Sequence, residues 1–248
     1  DTISMIATGR PAATIPPGKD ENEAEKRLSA ALLSGDPLIT IDNLEQPLGG
    51  ELICQCLTQT LLKIRVLGLS LNLEVPSIAT MFATGNNLTI KGDMTRRTVV
   101  CSIDPQCERP ELREFGFDPV ALVGSDRGKY ISAALTILRA YVTLGFPNKL
   151  KPLGSFEDWS DHVRSALVWL GEADPVSTME SARESDPVLT NLRTIMAGWA
   201  DTIGHYEQVN VKRLVDVASQ GATNYGGENH YANEDFREAL LMVAGNGG

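Results

Sequence analysis

Apolar positions along this chain follow two rhythms, and the change from one to the other organises it. Up to about residue 147, short apolar bursts alternate with stretches of helical spacing. Residues 2–8 read as the close of a helix stopped by Gly9, and AATI (12–15) as a short strand that runs into the turn-rich PPGKDEN. ENEAEKRLSAALLS (21–34) opens with acids, spaces Ala and Leu helically and stops at Gly35. PLITIDN carries apolar and β-branched residues straight into a carboxylate, the pattern of a fully buried parallel strand. Residues 48–62 predict another helix, KIRVLG (63–68) a strand, PSIATMFATGN (76–86) a second buried strand and TRRTVVCSID (95–104) a third. A strong helix spans about 127–144. Strands alternating with helices predict an α/β layer with a parallel sheet.

PNKLKPLGS, from residue 147, has the Pro, Gly and Lys content of a linker, which predicts two domains, 1–147 and 148–248. Beyond it the helical rhythm takes over at 156–170, 176–184, 186–204, 209–219 and 234–244, with GATNYGGENHYAN (221–233) as a loop. Trp159, Trp169 and Trp199 sit among aliphatic neighbours at helical spacing and are expected to pack rather than stack on bases.

Charge and cysteine usage narrow the classes. A net charge of −10 over 248 residues argues against a whole-surface basic footprint for nucleic acid, while leaving room for a local patch. No apolar run is long enough for a membrane span. The opening, DTISMIATGR, has no basic leader region and no initiator Met, so no signal peptide is expected and the chain is expected either to begin inside a longer protein or to have been trimmed. Cys54, Cys56, Cys101 and Cys107 lack zinc-pair spacing and are expected to be reduced, in a cytoplasmic protein. His162, His205 and His230 are scattered and match no catalytic motif. Asn87-Leu88-Thr89 matches a glycosylation sequon, without meaning unless the chain is secreted.

Candidate chemistry lies where the strands are expected to end, since open α/β sheets bind ligands at the carboxyl ends of their strands. One end carries Asp42-Asn43 with Glu45 close behind, and one carries Thr84-Gly85-Asn86-Asn87. The third expected strand begins just after Asp93 and at Arg96-Arg97. A carboxylate after a buried strand can hold Mg²⁺ through its water shell, a neighbouring amide can orient a water, and an arginine can neutralise charge on a transferring phosphoryl group. Each group also has a plainer use. A strand-end Asp caps a turn, Asn-Asn forms one, and paired arginines bind a carboxylate. No G-x-x-x-x-G-K-[ST] motif occurs. Gly18-Lys19 follows Pro16-Pro17, precedes Asp20 and is not read as opening a helix after a strand.

The stretches EAEKRLSAALLSGDPLITIDNLEQPLGGELICQCLT, RVLGLS, FATGNNLTIKGDMTRR, ERPELREF and LGSFEDWSDHVRSALVWLGEADP together resemble the helicase half of phage and integrated-element primase–helicases, superfamily-three-like AAA+ ATPases. The resemblance covers roughly residues 20–200. It implies a P-loop NTPase, AAA+-like parallel-sheet core that lacks its first strand and phosphate loop, followed by a mostly helical C-terminal lid or appendage. It implies an ATP-dependent DNA helicase motor for replication of a mobile element, using ATP and Mg²⁺, acting on single-stranded DNA as a homo-oligomeric ring, most simply a hexamer. By this likeness Asp42 is the acid that holds Mg²⁺ through water, Asn86 or else Asn87 the sensor amide, and Arg97 or else Arg96 the arginine finger acting on a neighbour. Asn43 stands where such ATPases usually have a catalytic Glu, which leaves Glu45 as a candidate base. Arg65 falls where such motors often face DNA. The phosphate loop is expected just upstream of Asp1, and without it the chain is expected not to hydrolyse ATP appreciably. Two other classes compete: a degenerate ATPase fold serving as an oligomeric scaffold or partner dock, and an unrelated α/β enzyme using Asp42, Glu45 and Asp93 around a metal.

Overall fold

The computed structural model describes residues 1–66, 71–223 and 229–245. The chain divides into two compact units, Asp1–Ala182 and Arg183–Gly248. The linker-like stretch 147–155 lies inside the first. No helix of the described residues is long and apolar enough to cross a membrane.

In chain order the first unit opens with α1 (Thr2–Thr8), β1 (Ala13–Ile15), α2 (Glu21–Leu33), β2 (Leu38–Ile41) and α3 (Glu51–Cys56). It continues through β3 (Leu61–Arg65), β4 (Asn72–Pro76) and β5 (Thr80–Ala83). Three strands form a parallel sheet in the order β1-β2-β5, so the chain is α/β as expected. β2 is central: Ile39 pairs with Ala13 on one side and Met81 on the other, and it is fully buried. Leu38 and Ile39 point to opposite faces of the sheet and are both buried, so neither face is solvated there and the sequence does not alternate. Helix α2 starts where Asp20 accepts the Glu23 backbone N–H at 2.8 Å, and it turns Leu28, Ala31 and Leu32 inward. These join Ile39, Leu48, Ile53, Leu62, Ile64, Ile90 and Met94 in one core, each fully buried large aliphatic contributing about 1.5–3 kcal/mol.

Several expected elements come out differently. The helix expected over 48–62 is short, because Leu48 bridges to Ile90 and Gly50 adopts φ 137°, so α3 begins only at Glu51. The strand expected at 63–68 starts earlier, at Leu61, because Leu62 and Ile64 turn into the core; residues 67 and 68 lie outside the described residues. β3 pairs antiparallel with β4, which sequence reading missed. The third strand, expected over 95–104, does not form. Gly92–Arg96 is a 3₁₀ turn, closed by Thr95 Oγ1 donating to the Gly92 carbonyl at 2.9 Å, and the residues after it have no ladder partner. Arg96 and Arg97 therefore stand at a turn, not at a strand terminus.

A helical layer follows in the same unit: α4 (Pro119–Ser125), α5 (Arg127–Thr143), α6 (Glu157–Trp159) and α7 (Ser165–Trp169), the last two joined by a π-helical turn over Ser160–Arg164. Arg127 ties this layer to α1 by donating to the carbonyls of Met5, Ile6 and Ala7 at 3.1, 2.9 and 3.0 Å, groups a helix end leaves unpaired. Tyr141 is fully buried, 5.5 Å from the rings of both Phe146 and Trp169. Arg164 grips Asp174 through two bonds of 2.8 and 2.6 Å and donates to the Lys151 carbonyl at 3.1 Å, which anchors the linker-like stretch.

The division between the units falls within α8 (Ser177–Glu184). The second unit holds α9 (Pro187–Thr202), α10 (Val211–Ala218), a hairpin of β6 (Gly221–Thr223) and β7 (Asn229–Tyr231) within the stretch expected to be loop, and α11 (Glu234–Ala244). Helices α9 and α11 pack through Gly198, where a side chain would run into the Phe236 ring. Asn191 adds a bond to the Ala239 carbonyl at 3.1 Å.

Candidate functional site

β2 and β5 end together, Ile41 opposite Ala83. The pairing continues past the strands: the Thr84 N–H donates to the Ile41 carbonyl at 3.0 Å and the Leu44 N–H to the Thr84 carbonyl at 2.7 Å. On the other side of β2, the Asp42 N–H donates to the Ile15 carbonyl at 3.1 Å. Between these strand ends, Thr84 Oγ1 donates to Asp42 Oδ1 at 2.6 Å and accepts the Asn43 N–H at 3.0 Å. Asn43 takes a left-handed conformation, φ 58°, which turns the chain out of the sheet directly after the acid.

The two following loops then run side by side. Leu48 N–H donates to the Thr89 carbonyl at 2.8 Å and Lys91 N–H to the Leu48 carbonyl at 3.0 Å. Gly85 permits this approach, since a Cβ there would stand 2.5 Å from the Leu44 carbonyl oxygen. Asp42, Asn43, Glu45, Asn86 and Asn87 are all exposed on these loops. Among the described residues, the side chains of Glu45, Asn86 and Asn87 make no hydrogen bond or ion pair, and Asp42 Oδ2 also has no partner. The carboxyl edge of the sheet thus presents one oriented carboxylate with a free oxygen, beside exposed amides.

The arginines behave differently. Both turn back on Asp93: Arg96 Nε binds Asp93 Oδ1, and Arg97 binds Oδ2 through Nε, at 3.0 Å, and Nη2. Those bonds pull the Asp93 carboxyl down to about 2. The Arg97 side chain is 9% exposed, against 54% for Arg96, so only Arg96 projects into solvent. Cys54 stands close enough to feel Arg97 and Asp93, yet burial raises its thiol above the ordinary range. Burial likewise pushes Cys56 up to about 11. Neither thiol is tuned toward the reactive thiolate.

The structure brings Asp42 and Asn43 together with Thr84, a residue that sequence reading placed at the strand end without giving it a role. No hydrogen bond or ion pair joins Asp42 to Asn86, Asn87, Arg96 or Arg97. Arg65 lies on the exposed face of β3, opposite Asn72, beside the outward Lys63 that pairs with Glu74 at 3.7 Å. Among the described residues no group of three or more His, Cys, Asp or Glu side chains is placed to hold a metal ion, so Asp42, Glu45 and Asp93 do not form the metal cluster of the unrelated-enzyme class. Gly18-Lys19 lies in the loop between β1 and α2 and does not open the helix, which starts at Glu21. It is no phosphate cradle: Asp20 occupies the cap of α2, and Glu21 and Glu23 put negative charge in its first turn. Comparison with protein-family models finds no matching family, and comparison with curated proteins and with solved structures finds no match.

Proposed function

We propose that this chain is part of an ATP-driven DNA helicase or translocase motor of the AAA+ kind, working in the cytoplasm as a homo-oligomeric ring, most simply a hexamer, on single-stranded DNA during replication of a phage or mobile element. The observation that carries it is the Thr84–Asp42 hydrogen bond at the carboxyl ends of two adjacent parallel strands, which aims one carboxylate at the edge where open α/β sheets bind ligands. A single exposed carboxylate with a free oxygen fits outer-sphere contact with Mg²⁺, an ion that keeps most of its waters. Bound with ATP, that ion neutralises charge on the β- and γ-phosphates. Asp42 would hold the ion through its waters, and Asn86 or Asn87 would orient the attacking water. Asn43 cannot take a proton, so Glu45, exposed on the same loop, is the candidate base. Arg96 is the guanidinium free enough to reach a neighbouring protomer, while Arg97 braces Asp93. Arg65, exposed on β3, is the residue offered to DNA, while Lys63 beside it is paired with Glu74.

The test is ATP hydrolysis by the parent protein that supplies a glycine-rich phosphate loop upstream of α1. DNA-stimulated turnover that Asp42→Ala abolishes, with the fold intact, supports the reading; normal hydrolysis by that variant ends it. Asn43, in the place of a catalytic acid, favours a second reading, a degenerate ATPase fold acting as a scaffold. Absence of any nucleotide-induced thermal shift in the parent protein selects the scaffold.

A further inference from the structure

We propose that Thr84 is a positioning residue for the Asp42 carboxylate, one that sets how tightly the site holds its divalent cation and how fast it turns over. This rests on the ATPase reading of the site. The Thr84 hydroxyl has one proton and two lone pairs. It donates a hydrogen bond to Asp42 Oδ1 at 2.6 Å and accepts one from the Asn43 N–H at 3.0 Å. With the Asn43 N–H already held, donation to the carboxylate is the bond the hydroxyl has left to make. The carboxylate is thereby locked about its terminal torsion. Oδ1 is engaged and Oδ2 is turned to solvent, without a partner among the described residues. The same side chain fixes the left-handed Asn43, and its backbone carbonyl holds Leu44, so the residue directly after β5 holds three consecutive residues after β2. Without the hydroxyl, the exposed carboxylate rotates freely and must be ordered each time a hydrated cation binds. That ordering weakens cation binding and slows the reaction, and it leaves contacts to the nucleotide itself untouched.

The experiment measures steady-state ATP hydrolysis by the full-length parent as a function of ATP and of Mg²⁺, for wild type, Thr84→Val, Thr84→Ser and Asp42→Ala. Valine keeps the shape and removes the hydroxyl; serine keeps the hydroxyl. Thr84→Val is expected to lower kcat about tenfold, the effect of losing one hydrogen bond to a charged group. With a non-hydrolysable ATP analogue bound, Mg²⁺ is expected to bind Thr84→Val more weakly than wild type by calorimetric titration, while KM for ATP stays nearly unchanged. Thr84→Ser is expected to restore both values to near wild type. Wild-type kinetics in Thr84→Val overturn the proposal. So does a Thr84→Ser variant as impaired as Thr84→Val, because the methyl group would then be what matters. Wild-type kinetics in Thr84→Val beside an inactive Asp42→Ala overturn the positioning role alone. An active Asp42→Ala, or an inactive wild type, overturns the ATPase reading and this proposal with it.

Discussion

Asp42 and Asp93 are both carboxylates on the surface of the first unit, and they keep opposite company. Asp42 directly follows β2, accepts one hydrogen bond from a neutral hydroxyl and leaves an oxygen unused. Asp93 sits in a 3₁₀ turn with both oxygens taken by Arg96 and Arg97. The first arrangement is open to a cation. The second is closed on itself, with a positive edge where Arg96 stands exposed. An acid and a pair of arginines that a sequence offers as one candidate site can thus divide, one part left open at the edge of the sheet and the other serving as its own partner.

The largest expected effect breaks the contrast at the open end. On the proposed ATPase reading, Asp42→Ala in the parent protein is expected to lower ATP turnover by about 10²–10³-fold, the scale seen when one group that stabilises developing charge is removed. Circular dichroism and the unfolding midpoint should stay as in wild type, because the Asp42 side chain is exposed and its backbone bond to Ile15 persists. A variant that loses both activity and fold would make Asp42 a structural cap.

Next is Gly85→Ala, which tests whether the open arrangement depends on the close approach of its two loops. The added Cβ meets the Leu44 carbonyl oxygen, backbone that cannot rotate away. It is expected to destabilise the first unit by about 1–3 kcal/mol in urea titrations and to loosen the Leu44–Thr84 bond. Unchanged stability would show that the loops are held by other contacts.

Little of this distinction was visible in the sequence, and the reason is the range over which each feature is decided. Helices α2 and α5 and strand β2 were legible because cap, periodicity and apolar run are local signals; Asp20 before ENEAEKRL is one such cap. The Thr84–Asp42 bond joins residues far apart in the chain and exists only through the parallel register of β2 and β5. Val99 and Val100 suggested a strand because β-branched residues favour one, but no edge lies beside them, and Val100 N–H goes instead to Thr178 Oγ1 at 3.0 Å. The hairpin partner β4 was legible but overlooked: its residues alternate apolar and polar, with Val75 packing on the core while Leu73 stays exposed.

A smaller effect separates the two arginines. Arg97→Ala removes a nearly buried guanidinium from Asp93, and it is expected to lower stability by about 1–2 kcal/mol. Arg96→Ala removes an exposed partner and should leave the unfolding midpoint unchanged. If Arg96 reaches a neighbouring protomer, its loss lowers turnover without touching the fold. Equal stability losses for both would place Arg96 in the same structural role as Arg97.

The smallest effect, and the sharpest probe of the closed arrangement, is acid. Asp93 has a folded-state value of about 2, below the roughly 3.9 of an unfolded chain. A depressed carboxyl contributes stability that is present above the unfolded value and lost as pH falls toward the folded one. Wild-type stability should therefore decline between about pH 4 and pH 2, and Asp93→Asn should make that decline shallower. The slope does not vanish in that variant, because Arg164 depresses Asp174 in the same direction. Carbon-detected NMR of the Asp93 carboxyl gives the direct reading: a midpoint near 2 in wild type, rising when Arg96 and Arg97 are both replaced by Ala. A wild-type midpoint near that of an unfolded chain would mean the guanidiniums are not engaged. Arg97 would then be as free as Arg96 to reach another protomer, and the contrast between the two carboxylates would disappear.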